Sequence, residues 1–181
     1  NDESNEYFYQ FNETTGACEG KVTGLIEFDG AWYYAINGVA KSGWWNLTDA
    51  DGNNGYYYFD PETFQGLDGE NSSFFPNVIY QFEHGKLVKG AWLATDHGKR
   101  YYYGPGFVQG KWYTIEGNLY FFNQDGYRYE GLRYVKLRDN HDDPIYWYDF
   151  GEDGICHGVY QHTGLFYLNG NTYYPINGMV C

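Results

Sequence analysis

One hairpin pattern, repeated along the whole chain, restricts the available folds more than any other feature. In Leu25–Gly38, read L-I-E-F-D-G-A-W-Y-Y-A-I-N-G, an alternating apolar run ends at Phe28 and Asp29-Gly30 follows. A second aromatic run, Trp32–Ile36, then closes on Asn37-Gly38. A dipeptide of this kind between two alternating runs predicts a two-residue hairpin, because a type I′ turn needs positive φ at both central residues. The pattern returns at Trp112–Phe122 around Glu116-Gly117 and at Leu165–Ile176 around Asn169-Gly170.

The copies align on a tyrosine in the pattern Tyr-x-apolar-Asn/Asp/Glu. The anchors are Tyr9, Tyr34, Tyr57, Tyr80, Tyr120, Tyr146 and Tyr174, with Tyr101 a poorer match because Gly104 replaces the polar residue. Their spacings are 25, 23, 23, 21, 19, 26 and 28 residues. Insertions near 49–55, 71–77 and 138–144 account for most of the unevenness, and surface loops absorb such insertions while stacked strands keep register. The expectation is one all-β repeat array over residues 1–181, made of about eight hairpin units whose anchor tyrosines face neighbouring units.

Each anchor is followed by a turn, a short run and a glycine, as in Gly38–Gly43, Gly85–Gly90, Gly126–Gly131 and Gly154–Gly158. A tryptophan often opens the next copy: Trp44 after Gly43, Trp92 after Gly90-Ala91, Trp112 after Gly110-Lys111. In these features the chain resembles the choline-binding, or cell-wall-binding, repeats of bacterial autolysins, glucan-binding proteins and clostridial toxin tails. Tyr56–Thr63 and Trp112–Gly117 are the closest matches. The resemblance implies a β-solenoid superhelix of hairpins of about 20–28 residues, with aromatic side chains between successive hairpins. It also implies cation–π or sugar-binding pockets built from a tryptophan and rings of neighbouring repeats. Leu25, Leu67, Leu132 and Val159 stand at positions where such rings are expected. The stretch that keeps them is Trp44, Trp45, Trp92 and Trp112, with Tyr101 and Tyr120 nearby; the competing reading makes these rings the core between hairpins.

Composition agrees with strands and turns: 23% of residues are aromatic, with 22 Tyr and 25 Gly. A lone hairpin is marginal in water, so stability must come from stacked neighbours. A net charge of −13 argues against nucleic acid or an anionic membrane surface as partner. No apolar run is long enough for a membrane span, and the chain, which begins without Met, reads as a mature or excised segment.

Three sequons, at Asn12, Asn46 and Asn71, make N-linked glycans and an extracellular or cell-surface setting the expectation. Of the cysteines, Cys156 and Cys181 lie in adjacent copies and are the better intrachain disulfide pair; Cys18 is then left for another chain or as a free thiol. No C-x-x-C exists, so a zinc site is not expected. Asp49, Asp51 and Asn53 place oxygens at i, i+2 and i+4, with Asp60 further on, but glycine falls at the wrong place for a calcium loop. Asp139–Asp143 is the other acidic loop; a solvated hairpin loop is the simpler reading of both. No catalytic constellation and no cofactor are expected.

Two functions follow. The first is a non-catalytic extracellular structural glycoprotein assembling end to end into a fibre or matrix. It rests on Tyr7–Asn12, read as a second strand lacking its first, on Tyr173–Cys181, which halts before a new hairpin, and on the lack of an evident cap. Its partners would be copies of itself. The alternative is a carbohydrate- or choline-binding cell-surface targeting module whose partner is a surface polysaccharide.

Overall fold

The computed structural model describes residues 7–136 and 144–180. Among them the chain forms nineteen short strands and no helix. Strand β1 (Tyr9–Phe11) pairs with β2 (Cys18–Lys21), and β3 (Gly24–Phe28), β4 (Ala31–Ile36) and β5 (Val39–Lys41) form a meander. β6 (Gly43–Thr48), β7 (Asn54–Phe59), β8 (Gly69–Asn71), β9 (Tyr80–Glu83) and β10 (Lys86–Lys89) form a five-stranded sheet in the order β6-β7-β10-β9-β8. β11 (Ala91–Thr95) pairs with β12 (Gly98–Tyr102), and β13 (Lys111–Ile115) with β14 (Asn118–Phe122). β15 (Leu132–Lys136), β16 (Ile145–Asp149) and β17 (Gly158–Val159) form a three-stranded sheet, and β18 (Phe166–Leu168) pairs with β19 (Asn171–Tyr173). All pairings are antiparallel.

The chain divides into two compact units. The first holds residues 1–92 and Tyr102–Gly106; the second holds Leu93–Tyr101 and residues 107–181. In the first, Tyr57, Phe59, Tyr80, Phe82 and Leu87 are all but fully buried, and in the second Phe122, Trp147 and Phe150 are. Each such side chain contributes about 2–3 kcal/mol. β7 shows why the sheet forms: Gly55, Tyr57 and Phe59 are buried in strict alternation, with β6 on one edge and β10 on the other.

Six two-residue turns carry the expected geometry. Asp29-Gly30, Asn37-Gly38, His84-Gly85, Glu116-Gly117, Asn169-Gly170 and Asn177-Gly178 all have φ between 49° and 83° at both residues. They fall into two kinds. The turns at Gly30, Gly117 and Gly170 face open space, with nothing within 4 Å of an added Cβ. Those at Gly38, Gly85 and Gly178 are joints. Gly38 N–H donates to the Val22 carbonyl (2.7 Å), its own carbonyl accepts from Phe8 N–H (2.8 Å), and Asn37 N–H donates to Thr23 Oγ1 (2.9 Å). Gly85 repeats this with Leu67 (2.9 Å) and Tyr58 (2.8 Å), and His84 N–H donates to Asp68 Oδ1 (2.6 Å). Gly178 does so with His162 (2.9 Å) and Trp147 (2.7 Å), and Asn177 N–H donates to Thr163 Oγ1 (2.8 Å). Adjacent repeats are thus tied by main-chain atoms that would otherwise lack partners at a turn.

The polar residue of the anchor pattern has two uses. In Asn37 and Asn177 it enters the joint turn. In Asn12, Asp60 and Asn123 it instead caps a longer loop, its side-chain oxygen accepting two main-chain N–H bonds at 2.8–3.0 Å.

Several expectations need correction. Tyr7–Asn12 supplies the first strand of a hairpin, β1 with β2, not the second. The tandem-hairpin plan is broken where β7 pairs with β10 across Lys86 and Tyr57, which merges two copies into one sheet. Anchors Tyr57, Tyr80, Tyr101 and Tyr120 are buried, whereas Tyr9 and Tyr174 are 46% and 56% exposed, and Tyr174 lies beyond β19. Among the described residues Cys18 and Cys156 are free thiols; Cys18 is exposed on β2, and Cys156 is half-buried against the Val135–Tyr148–Phe150 cluster. Cys181 and the Asp139–Asp143 loop lie outside the described residues.

Candidate ligand-binding site

The first unit contains a cavity of about 420 Å³ lined by Leu25, Trp32, Tyr57, His84, Val88 and the polar residues Asp49, Asp51, Glu83 and Lys86, with Ala50. The joint at His84-Gly85 builds one wall. Gly66 lies under this turn so closely that a Cβ on it would sit 2.8 Å from Gly85 Cα, and its N–H donates to the Trp32 carbonyl (2.7 Å). Strand β4 and the turn are therefore pinned through one glycine, and the rings of Trp32 and His84 lie 5.5 Å apart at 31°. His84 holds a left-handed φ of 53°, which its main-chain bond to Asp68 fixes.

Tyr57 forms another wall from β7, with its ring stacked beside Phe59 at 6.4 Å and 3°. Burial raises its phenol pKa. Lys86 lies opposite Tyr57 on β10, and its stem crosses Gly55, where a Cβ would stand 3.1 Å from Lys86 Cε. Its Nζ donates to Asp49 Oδ2 at 2.7 Å. The other oxygen of Asp49 accepts from Asp51 N–H (3.1 Å) and Asn53 N–H (2.8 Å), which closes the β6–β7 loop.

The Lys86 ammonium bond, with the loop N–H groups, lowers the Asp49 pKa, and the Asp49 bond raises that of Lys86. Asp49 therefore stabilises the fold above the ordinary carboxylate pKa of 3.8, an effect lost as pH falls through its lowered folded value. Lys86 stabilises below its ordinary 10.5, an effect lost as pH rises through its raised value. The pair stays ionised between those limits. It leaves Asp51 and Glu83 as the lining's remaining carboxylates.

The weak metal candidates take part in local bonds. Asp49 is taken by Lys86 and the loop, Asp60 accepts from Glu62 N–H, Thr63 N–H and Thr63 Oγ1, and among the described residues no group of three or more His, Cys, Asp or Glu could hold a metal ion.

None of the six aromatic candidates read from sequence lines the cavity. Trp44 is packed among Tyr58 (5.2 Å), Phe74 (4.9 Å), Tyr80 (5.9 Å) and Phe82 (5.8 Å). Trp45, next along β6, packs against Tyr34 with the rings tilted at 56° (5.0 Å) and donates from Nε1 to the Ser42 carbonyl (2.9 Å). Trp92 is half-buried in the first unit. Tyr101 and Tyr120 are buried in the second, where Trp112 packs on Tyr148 (5.0 Å) and Phe121 (5.2 Å) and donates to the Lys136 carbonyl (3.0 Å). Leu25 lines the cavity at one of the positions where the resemblance implies a ring. Of the sequon residues, Asn46 is exposed on β6, Asn12 Nδ2 donates to Glu19 Oε1 (3.0 Å), and Asn71 Oδ1 accepts from Ser73 N–H and Oγ.

No family model matches the chain. In sequence it is similar to glucosyltransferase-S of Streptococcus mutans, with 27% identity over 150 residues, 57% of this chain and 10% of that protein. Among solved structures, CbpJ of Streptococcus pneumoniae is 23% identical with a TM-score of 0.33, covering 96% of this chain and 56% of that one. Choline binding protein F of Streptococcus pneumoniae is 22% identical with a TM-score of 0.34, covering 92% and 53%. The chain resembles the choline- and glucan-binding repeat proteins. It spans about a tenth of the length of the relative it matches in sequence and about half that of these structures.

Proposed function

We propose that this chain is a non-catalytic carbohydrate-binding module of an extracellular, surface-directed protein, and that its ligand is a glucan segment held in the Trp32–Tyr57 cavity. The observation that carries this reading is the lining itself. The Trp32 ring and the aliphatic Leu25 and Val88 offer apolar faces to a sugar ring beside the buried Tyr57, while Asp51, Glu83 and the Asp49–Lys86 pair offer acceptors and donors for hydroxyls. A cavity of about 420 Å³ is several times the volume of a trimethylammonium head, and it carries a lysine on its wall, so a neutral sugar suits it better than choline. Similarity to a glucosyltransferase points the same way. The solenoid arrangement of the hairpins and N-linked glycans on Asn12, Asn46 and Asn71 belong to this proposal too. End-to-end assembly into a fibre has no comparable site behind it.

The test is titration of intrinsic tryptophan fluorescence with glucan oligosaccharides, with choline as the competing ligand. Saturable change with the glucan, weakened roughly 10–100-fold in Trp32→Ala, is expected from the apolar face the indole contributes. Unchanged affinity in Trp32→Ala with an unchanged melting temperature would refute the site, and saturation by choline alone would refute the ligand.

A further inference from the structure

In the second unit, apart from the cavity above, an aromatic clamp already holds a cation. The Arg100 guanidinium on β12 lies 4.4 Å from the Phe107 ring centroid and 4.3 Å from that of Tyr127. Its Nε and Nη2 both donate to the Asp125 main-chain carbonyl, at 3.2 and 2.9 Å. Two ring faces and an acceptor at the edge suit a flat cation with N–H groups in its plane.

The clamp is built by the backbone, not by Arg100. Asn123 closes the loop that carries Asp125 and Tyr127: its Oδ1 accepts from Asp125 N–H (3.0 Å) and Tyr127 N–H (2.9 Å), and its carbonyl accepts from Gly126 N–H (3.0 Å). Arg128 N–H then ties the loop to the Lys99 carbonyl (2.9 Å). Gly126 has a φ of 81°, and a Cβ there would lie 2.3 Å from the Phe107 ring, so the ring is seated directly on the loop. None of these contacts is made by the Arg100 side chain.

We propose that Phe107, Tyr127 and the Asp125 carbonyl form a binding site for a planar organic cation, an alkylguanidinium, which the chain's own Arg100 occupies and thereby keeps closed. The net charge of −13 favours cations at such a site. Removing the tethered occupant opens the site to a free ligand of the same chemistry.

The experiment is thermal unfolding of the full chain and its Arg100→Ala variant with methylguanidinium at tens of millimolar, against sodium chloride and tetramethylammonium at matched ionic strength. Methylguanidinium should raise the midpoint of the variant by roughly 2–5 °C and leave the unsubstituted protein unchanged. Tetramethylammonium, lacking planarity and N–H groups, should raise the midpoint of neither protein, and adding Phe107→Leu to the variant should abolish the rise. If Arg100→Ala does not fold, Arg100→Gln, which keeps a donor toward Asp125 without the charge, carries the same measurement. No rise with methylguanidinium, or an equal rise with tetramethylammonium, would overturn the assignment. The outcome is independent of glucan binding in the first unit.

Discussion

The turns at Gly170 and Gly178 lie eight residues apart and share one backbone geometry, with Asn then Gly at φ 50° and 83° in one and 49° and 78° in the other. Around Gly170 there is open space; around Gly178 a Cβ would meet the Tyr160 carbonyl oxygen at 2.5 Å and Val159 Cγ1 at 2.6 Å. The same contrast holds between Gly30 and Gly38 in the first unit. One turn type therefore serves two purposes, reversing the chain at an outer hairpin tip and locking one repeat onto the next. Local conformation is common to both, and only the surroundings tell them apart.

The largest effect should come from alanine at the joint. Gly178→Ala forces a left-handed alanine against a carbonyl and disturbs three hydrogen bonds together, so a loss of about 3–5 kcal/mol in denaturant unfolding is expected. Gly170→Ala carries only the cost of the left-handed alanine, about 1–2 kcal/mol. Equal losses would erase the distinction between the two turns. A smaller effect isolates the side-chain part of the joint. Thr163→Val removes the acceptor for Asn177 N–H and should cost about 1 kcal/mol, read from the unfolding midpoint, with faster amide exchange at Asn177. Smallest is a gain. Glu116 holds a φ of 49° in an outer turn, which asparagine tolerates better, and Glu116→Asn should add about 0.5 kcal/mol.

These turns were also the most legible part of the chain. Asp29-Gly30, Asn37-Gly38, Glu116-Gly117 and Asn169-Gly170 can be read from the dipeptide because the requirement for positive φ is local. What each turn touches is not local. Asn37 and Asn123 end the same anchor pattern, yet one enters a joint and the other caps a loop; the glycine directly after Asn37 is the signal that separates them. The partners of the joints, Thr23, Asp68 and Thr163, each precede a glycine, a regularity that acquires meaning only once the turns they hold are known. The pairing of β7 with β10 crosses two intervening elements and left no periodic trace.

The candidate site was less legible for the same reason. Tryptophans that open a copy shortly after a glycine drew attention to Trp44 and Trp112, whose rings proved to be packed in aromatic clusters. Trp32 and Tyr57 border the cavity because Gly66, Gly85 and Gly55 let backbone and the Lys86 stem approach closely, and absent side chains are difficult to read as a wall. The corrected order of β1 is a further case: the residues of Tyr7–Asn12 alternate in the same way whether the strand opens a hairpin or closes one.

The joints at Gly38, Gly85 and Gly178 bear on how such a chain can change over generations. Each is written mainly in carbonyl and amide groups, which every residue supplies, plus one glycine and one short oxygen-bearing side chain. Substitution almost anywhere else in a copy leaves the connection intact, so copies can drift apart in wording while still clicking together. A duplicated or exchanged copy needs only to bring its glycine to the correct place.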